Sequence, residues 1–242
     1  MNKNKLFDSH NKTQDYEDIQ ALWSAFKTNL NKKYADPDFE HYRLQVFTEN
    51  LKIVESNCDN YGITQFMDLT QEEFKEIYLT LEIKDDLEVS SISEFDDADN
   101  GNHGCHGGVM DYAFDFINQN GIPTEASSPY KAVKGACKMT SGPYKISSHT
   151  DIKSCNDLLD NLQKQPIAQA VDATNFQFYT QGIFSDCGTN LDHGVLLVGY
   201  SSSEQYWKIK NSWGTSWSEN GYIKFAAGNN CGLCNMASFP TV

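Results

Sequence analysis

The sequence predicts an α+β protein, with a helical unit first and a strand-rich unit second. Apolar residues recur at helical spacing through residues 15–81. Residues 82–101 then break the pattern with eight acidic side chains and one lysine. Beyond residue 163, short apolar runs follow one another without helical segments between them, which points to an antiparallel sheet or barrel. Charge divides the same way. Residues 1–100 carry 22 acidic and 10 basic side chains, and residues 101–242 carry 11 and 9.

In chain order, Ile19, Leu22, Trp23, Phe26 and Leu30 give an amphipathic helix over 15–31. Phe39, Tyr42, Val46, Phe47, Leu51 and Val54 repeat the pattern over 37–57, until Tyr61-Gly62 stops it. An extended piece, 63–67, leads to Thr70. With Glu73 three residues on, Thr70 predicts a capping box opening a third helix to about Leu81. The acidic stretch 82–101 reads as a linker. Gly107-Gly108 precede a helix over 109–120 whose apolar positions are Met110, Ala113, Phe114 and Ile117, with Gly121 suited to its C-terminal cap. A short helix is expected at 157–163 and strands at 167–171, 195–200, 206–210 and 222–225. Gly182, Asp186–Gly188 and Asn220-Gly221 supply turns.

The net charge of −14 argues against nucleic acid or an anionic membrane surface as the main partner. No apolar run approaches the ~20 residues needed to cross a bilayer, and the first 14 residues hold no apolar signal core. The cysteines are Cys58, Cys105, Cys137, Cys155, Cys187, Cys231 and Cys234. Cys231 and Cys234 form a lone CxxC with no second pair or paired-histidine spacing, so it reads as a disulfide cysteine beside an ordinary one. No metal and no cofactor are expected.

His193 heads an apolar strand, and Asn211 follows 18 residues later in Asn-Ser-Trp-Gly. A carboxamide oxygen accepts from one ring N–H and leaves the other ring nitrogen free to take a proton from a thiol. Trp213 is placed to cover that hydrogen bond. Spacing alone is a weak signal for such a pair.

The surrounding segments are more specific. GCHGG at 104–108, Met110-Asp111, NGIPTE, QPIAQAVDA, FQFYTQGIF, LDHGVLLVGY, IKNSWGTSW and NNCGLCNMASFP together resemble the papain family of cysteine peptidases, in order, over 102–242. Residues 15–81 resemble that family's inhibitory propeptide. Arg43, Val46, Phe47, Asn50 and Val54 fit most of the ERFNIN helix motif, and 62–68 follow the GNFD motif with Thr64 in place of Asn.

The resemblance implies a helical propeptide followed by an incomplete papain-like fold: a truncated helical left domain and an antiparallel β-barrel right domain. It implies His193 as general base, Asn211 as its orienting partner and Trp213 as the shield. Gly107 and Gly108 correspond to a peptide-binding edge. Met110, Gly194 and Met236 correspond to the walls of an apolar side-chain pocket. Cys187–Cys231 is the expected disulfide.

The family's Q-x-x-x-x-x-C-G-S-C-W segment, with nucleophile and oxyanion glutamine, has no counterpart. Only about 22 residues separate the propeptide match from GCHGG, where the family has several tens more. The partners expected for Cys105 and Cys137 fall in that gap, which leaves the two orphaned or bonded to each other. Cys105 precedes a helix, a setting that favours a thiolate. The family geometry nevertheless puts it on the far side of the left domain from the histidine. Without the missing helix, Met110, Phe114 and Ile117 should lie uncovered.

The expected function is a zymogen-like cysteine peptidase homologue without activity. The alternatives are a propeptide-type inhibitor or decoy, or an active zymogen whose natural product includes the absent segment. The partners implied are a peptide or protein substrate, or a papain-like peptidase bound through the propeptide, with no nucleic acid and no membrane insertion. Members of the family commonly work in lysosome-like or extracellular compartments.

Overall fold

The computed structural model describes residues 12–57, 59–81, 102–133, 135 and 141–242. The stretch 82–101 read as a linker, together with Cys58 and Cys137, lies outside them. Helix α1 is Lys12–Asn29 and α2 is Pro37–Ser56, which starts with Pro37 in its first turn and the Asp36 side chain accepting from the Asp38 N–H. Helix α3, Gln71–Tyr78, opens on the predicted capping box between Thr70 and Glu73. It stops at Tyr78, not Leu81, because 79–81 leave the helix to run along the second unit, where the Leu81 N–H donates to the Asp192 carbonyl (3.1 Å).

The ERFNIN-like residues of α2 tie it to the chain around Asp68. Asn50 Nδ2 donates to the carbonyls of Met67 and Leu69. Arg43 donates to the Asp68 carbonyl and grips the Glu73 carboxylate through both terminal nitrogens. Asp68 itself takes Lys32 Nζ and the Tyr34 hydroxyl.

The second unit is a seven-stranded sheet in the order β1-β7-β2-β4-β5-β6-β3. The strands are β1 (Ser148–Ile152), β2 (Ile167–Val171), β3 (Ile183–Phe184), β4 (His193–Ser201), β5 (Tyr206–Lys210), β6 (Tyr222–Ala226) and β7 (Ala237–Thr241). Every pairing is antiparallel except the short β3–β6 pair. The four expected strands are present. β1, β3 and β7 are additions: β1 buries only Ile152, β3 has two residues, and β7 carries Pro240, so none shows the apolar alternation that marks a strand. The short helix α5 spans Cys155–Leu162, two residues earlier than expected, because Ser154 caps it by accepting from the Asp157 N–H.

Two disulfides hold this unit. Cys187–Cys231 is the expected one. The second, Cys155–Cys234, corrects the reading of the CxxC: both of its cysteines are bonded, to different partners. They serve two separate staples because Cys231 and Cys234 leave a tight turn in different directions, toward the 187 loop and toward α5.

A continuous apolar core joins both units. Trp23, Phe26, Phe47, Phe66 and Phe74 of the helical part belong to the same buried cluster as Phe176, Phe178, Phe184, Ile209, Trp217 and Phe225. Helix α4, Met110–Asn120, is the exception. It is strongly amphipathic, yet none of its residues is buried, and it meets chiefly β1 and β7. Met110, Phe114 and Ile117 are half-buried, and nearby Ile122, Tyr130, Val133 and Tyr144 are exposed. No helix among the described residues is long and apolar enough to cross a membrane.

Candidate active site

The β2–β4 pairing places His193 opposite Val171 at the entry of β4, and the β4–β5 hairpin returns the chain so that Asn211 follows β5 directly. His193 Nε2 and Asn211 Oδ1 are 2.8 Å apart. The Ser212 N–H also donates to Asn211 Oδ1 at 2.8 Å, which fixes that atom as the oxygen and makes the imidazole nitrogen facing it the donor. The ring's Nδ1 is therefore the atom left with a lone pair. Burial pushes the His193 pKa down, opposed by the Asn211 hydrogen bond, so the imidazole is held neutral, as a base must be. Asn211 Nδ2 finds no acceptor among the described residues.

Trp213 lies over the pair, its ring centroid 4.8 Å from that of His193. Phe66, Phe74 and Tyr78 of the helical unit meet it edge-on at 5.3, 5.3 and 5.8 Å, and Trp217 and Phe176 of the second unit do so at 5.1 and 6.1 Å. The helical unit thus seals the indole that shields the histidine. Main-chain pairing reinforces the contact. Tyr61 bridges Tyr179, the Gly62 N–H donates to the Phe178 carbonyl (2.9 Å), and the Thr180 N–H donates to the Asn60 carbonyl (2.8 Å). Gln177, buried, donates to the carbonyls of Phe66 and Leu69. These docking residues were not singled out by sequence reading. The signal available was FQFYTQGIF, whose Phe176 and Phe178 alternate as in a strand but fold as a 3-10 turn.

Segment 79–81 crosses the face of the site. Leu81 is bonded to Asp192 on one side. On the other, a Cβ placed on Gly107 (φ +97) would sit 1.7 Å from the Thr80 carbonyl oxygen, so only glycine permits this approach. Met110 lies against Gly194, where an added Cβ would be 3.4 Å from Met110 Sδ. Gly108, with φ +158, abuts Asn102. Met236 is half-buried, and its carbonyl takes the Ala170 N–H. Gly107 therefore meets the path of 79–81 directly, while Met110 meets Gly194 two residues past Asp192.

Asp192, next to His193, is buried and accepts from the Ala173 N–H (2.8 Å) and the Thr174 hydroxyl (3.2 Å). Burial raises its pKa to about 6, against those two hydrogen bonds.

The thiols fall elsewhere. Cys155, Cys187, Cys231 and Cys234 are in disulfides. Cys105, the one free cysteine among the described residues, is exposed on the turn Gly104–His106. It opens onto a shallow depression lined by Tyr130, Lys131, Ala132 and Val133. It stands five residues ahead of α4, so the helix N-terminus does not act on it directly.

Comparison with known proteins agrees with this geometry. Residues 72–241 match the papain family cysteine protease domain, and residues 23–74 match the cathepsin propeptide inhibitor domain (I29). Cathepsin L 2 of Paramecium tetraurelia is 32% identical, with 95% of this chain and 96% of the relative covered. That alignment spans 302 positions, 60 more than this chain has residues. Among solved structures, the recombinant stem bromelain precursor is similar at TM-score 0.77 and 27% identity, covering 93% of this chain and 99% of that one. Procathepsin L 3 of Tenebrio molitor larval midgut is similar at TM-score 0.75 and 28% identity, with the same coverage.

Proposed function

The chain belongs to the papain family of cysteine proteases and carries the family's propeptide; we propose that it is a zymogen-like member with a built catalytic base and no nucleophile. The family acts on peptide bonds in protein substrates through a thiol. In this reading residues 15–81 are the propeptide, 82–101 a linker, and 102–242 a peptidase part that lacks its N-terminal segment. His193 is the base, Asn211 orients it, and Trp213 keeps water from their hydrogen bond. Gly107, Gly108, Met110, Gly194 and Met236 form the peptide-binding face, on which residues 79–81 lie.

The observation that carries the proposal is the fate of the cysteines. Four are consumed in disulfides and Cys105 is exposed on a surface turn, so none of these five stands at His193 Nδ1. The alignment with Cathepsin L 2 supports it: at least 60 of its positions face a gap in this chain. Without a thiolate no acyl-enzyme forms, and loss of a nucleophile removes on the order of 10⁶-fold in rate. The test is a peptidyl epoxide, followed by intact-mass analysis. The proposal expects no adduct that depends on His193. An adduct on one cysteine that vanishes in His193→Ala would overturn it.

A second reading rests on the docking contact. Much of it is main-chain pairing between 60–62 and 178–180, which another papain-like peptidase with the same loop can accept. The full chain added to an active papain-like peptidase should then inhibit it. No inhibition at micromolar concentration removes this reading.

A further inference from the structure

We infer that Asp111, His149 and Asp151 form a binding site for a first-row divalent cation of the zinc type, where α4 crosses β1 and β7. His149 and Asp151 are two residues apart on β1 and so share one face. They stand opposite Pro240 and Ser238 of β7. Asp111 and Asp115 are one turn apart on α4 and share the helix face turned to those strands. The buried Ser238 hydroxyl donates to Asp111 Oδ1, which pins that carboxylate and leaves Oδ2 available. One donor atom from each of Asp111, His149 and Asp151 lies within 4.8 Å of the others.

The imidazole is arranged as a ligand's would be. His149 Nε2 is 3.7 Å from Asp151 Oδ1, and Nδ1 is 3.4 Å from Asp115 Oδ1. Asp115 thus stands on the Nδ1 side of the ring, where an outer carboxylate behind a metal-bound histidine stands, and Nε2 faces Asp151. Charge makes the second, independent argument. Three carboxylates converge here, and among the described residues none of them pairs with a lysine or arginine; the ion pairs those residues make lie elsewhere. One imidazole nitrogen with carboxylate oxygens suits zinc and its neighbours better than the all-oxygen shell calcium takes. Asp151 is exposed, so water completes the coordination.

The elements joined are those the core leaves loose. A cation here clamps α4, which buries no residue of its own, to the edge of the sheet. Spacing along the chain does not reveal the site, because its ligands come from segments nearly 40 residues apart. The inference does not depend on the missing nucleophile.

The test is a calorimetric titration of the full chain with zinc chloride near neutral pH, after alkylation of free thiols. We expect one saturable equivalent in the micromolar range. His149→Gln and the isosteric Asp111→Asn should abolish it or weaken it by far more than Asp115→Asn, which should cost roughly tenfold. Circular dichroism of each variant establishes that the fold is kept. Zinc should raise the thermal midpoint of the natural protein and not that of Asp111→Asn. Absence of a saturable site below millimolar zinc, or binding that survives both His149→Gln and Asp111→Asn, overturns the inference.

Discussion

The sheet's two flanks are built to different standards. On the propeptide side, Phe66, Phe74, Phe176, Phe178 and Trp217 are at most 1% exposed and form one core with Trp213 over the histidine. On the α4 side, a helix of comparable amphipathicity buries nothing, and polar links carry much of its contact with the sheet side: Asp111 to Ser238, Asp115 to His149, Asn118 to the Ser147 carbonyl. The half that positions the base shares one apolar core, and on the other half α4 keeps an apolar stripe that no described residue fully covers. An amphipathic helix reports a partner.

Hydrogen exchange addresses that contrast first and with the largest effect. In protein treated with a metal chelator, α4 amides should exchange about 10⁴-fold faster than those of β4 and β5, a difference of about 5.5 kcal/mol in opening free energy. Equal protection would abolish the contrast. Phe74→Ala comes next. Phe74 is fully buried against Phe66 and Trp213, so its truncation should cost about 3–4 kcal/mol by denaturant unfolding, whereas Phe114→Ala on α4 should cost well under half of that.

Gln169 sharpens the comparison from inside the well-packed half. It is fully buried between Ile167 and Val171, and neither amide atom has a partner among the described residues. Gln169→Leu should therefore stabilise the protein by about 1–3 kcal/mol. A loss of stability would mean that the amide is satisfied in solution.

The smallest effects are in pH. Arg43 holds the Glu73 carboxyl below the usual range, so that pair stabilises the fold above about pH 4.3, and its contribution is lost as pH falls below that value. Asp192 has the opposite sign. Its folded pKa of about 6 lies above the unfolded value, so the fold binds its proton more tightly and loses stability as pH rises from about 4 to 6. Chemical unfolding across that window should show Asp192→Asn gaining on the natural protein as pH rises, and Glu73→Gln flattening the slope below pH 5.

Much of the fold was legible in the sequence because it obeys local rules. The capping box at Thr70, the glycine C-cap at Gly121 and the apolar runs IAQAV of β2 and VLLV of β4 announce themselves over a few residues. β7 was not legible: ASFPT carries a proline and no alternation, and it is a strand only because β1 and β2 flank it. His193 and Asn211 were found through the motifs around them, and the structure brings their side chains to 2.8 Å. The second bond of the CxxC and the Asp111–His149–Asp151 cluster were invisible for a shared reason, since each joins segments that only the folded chain brings together.

The claim on which the account turns is that an imidazole base stands here without a sulfur to activate. Steady-state cleavage of a fluorogenic peptide, followed before and after the free thiols are alkylated, measures it most directly. The account predicts background hydrolysis in both samples. Turnover that alkylation extinguishes would contradict it.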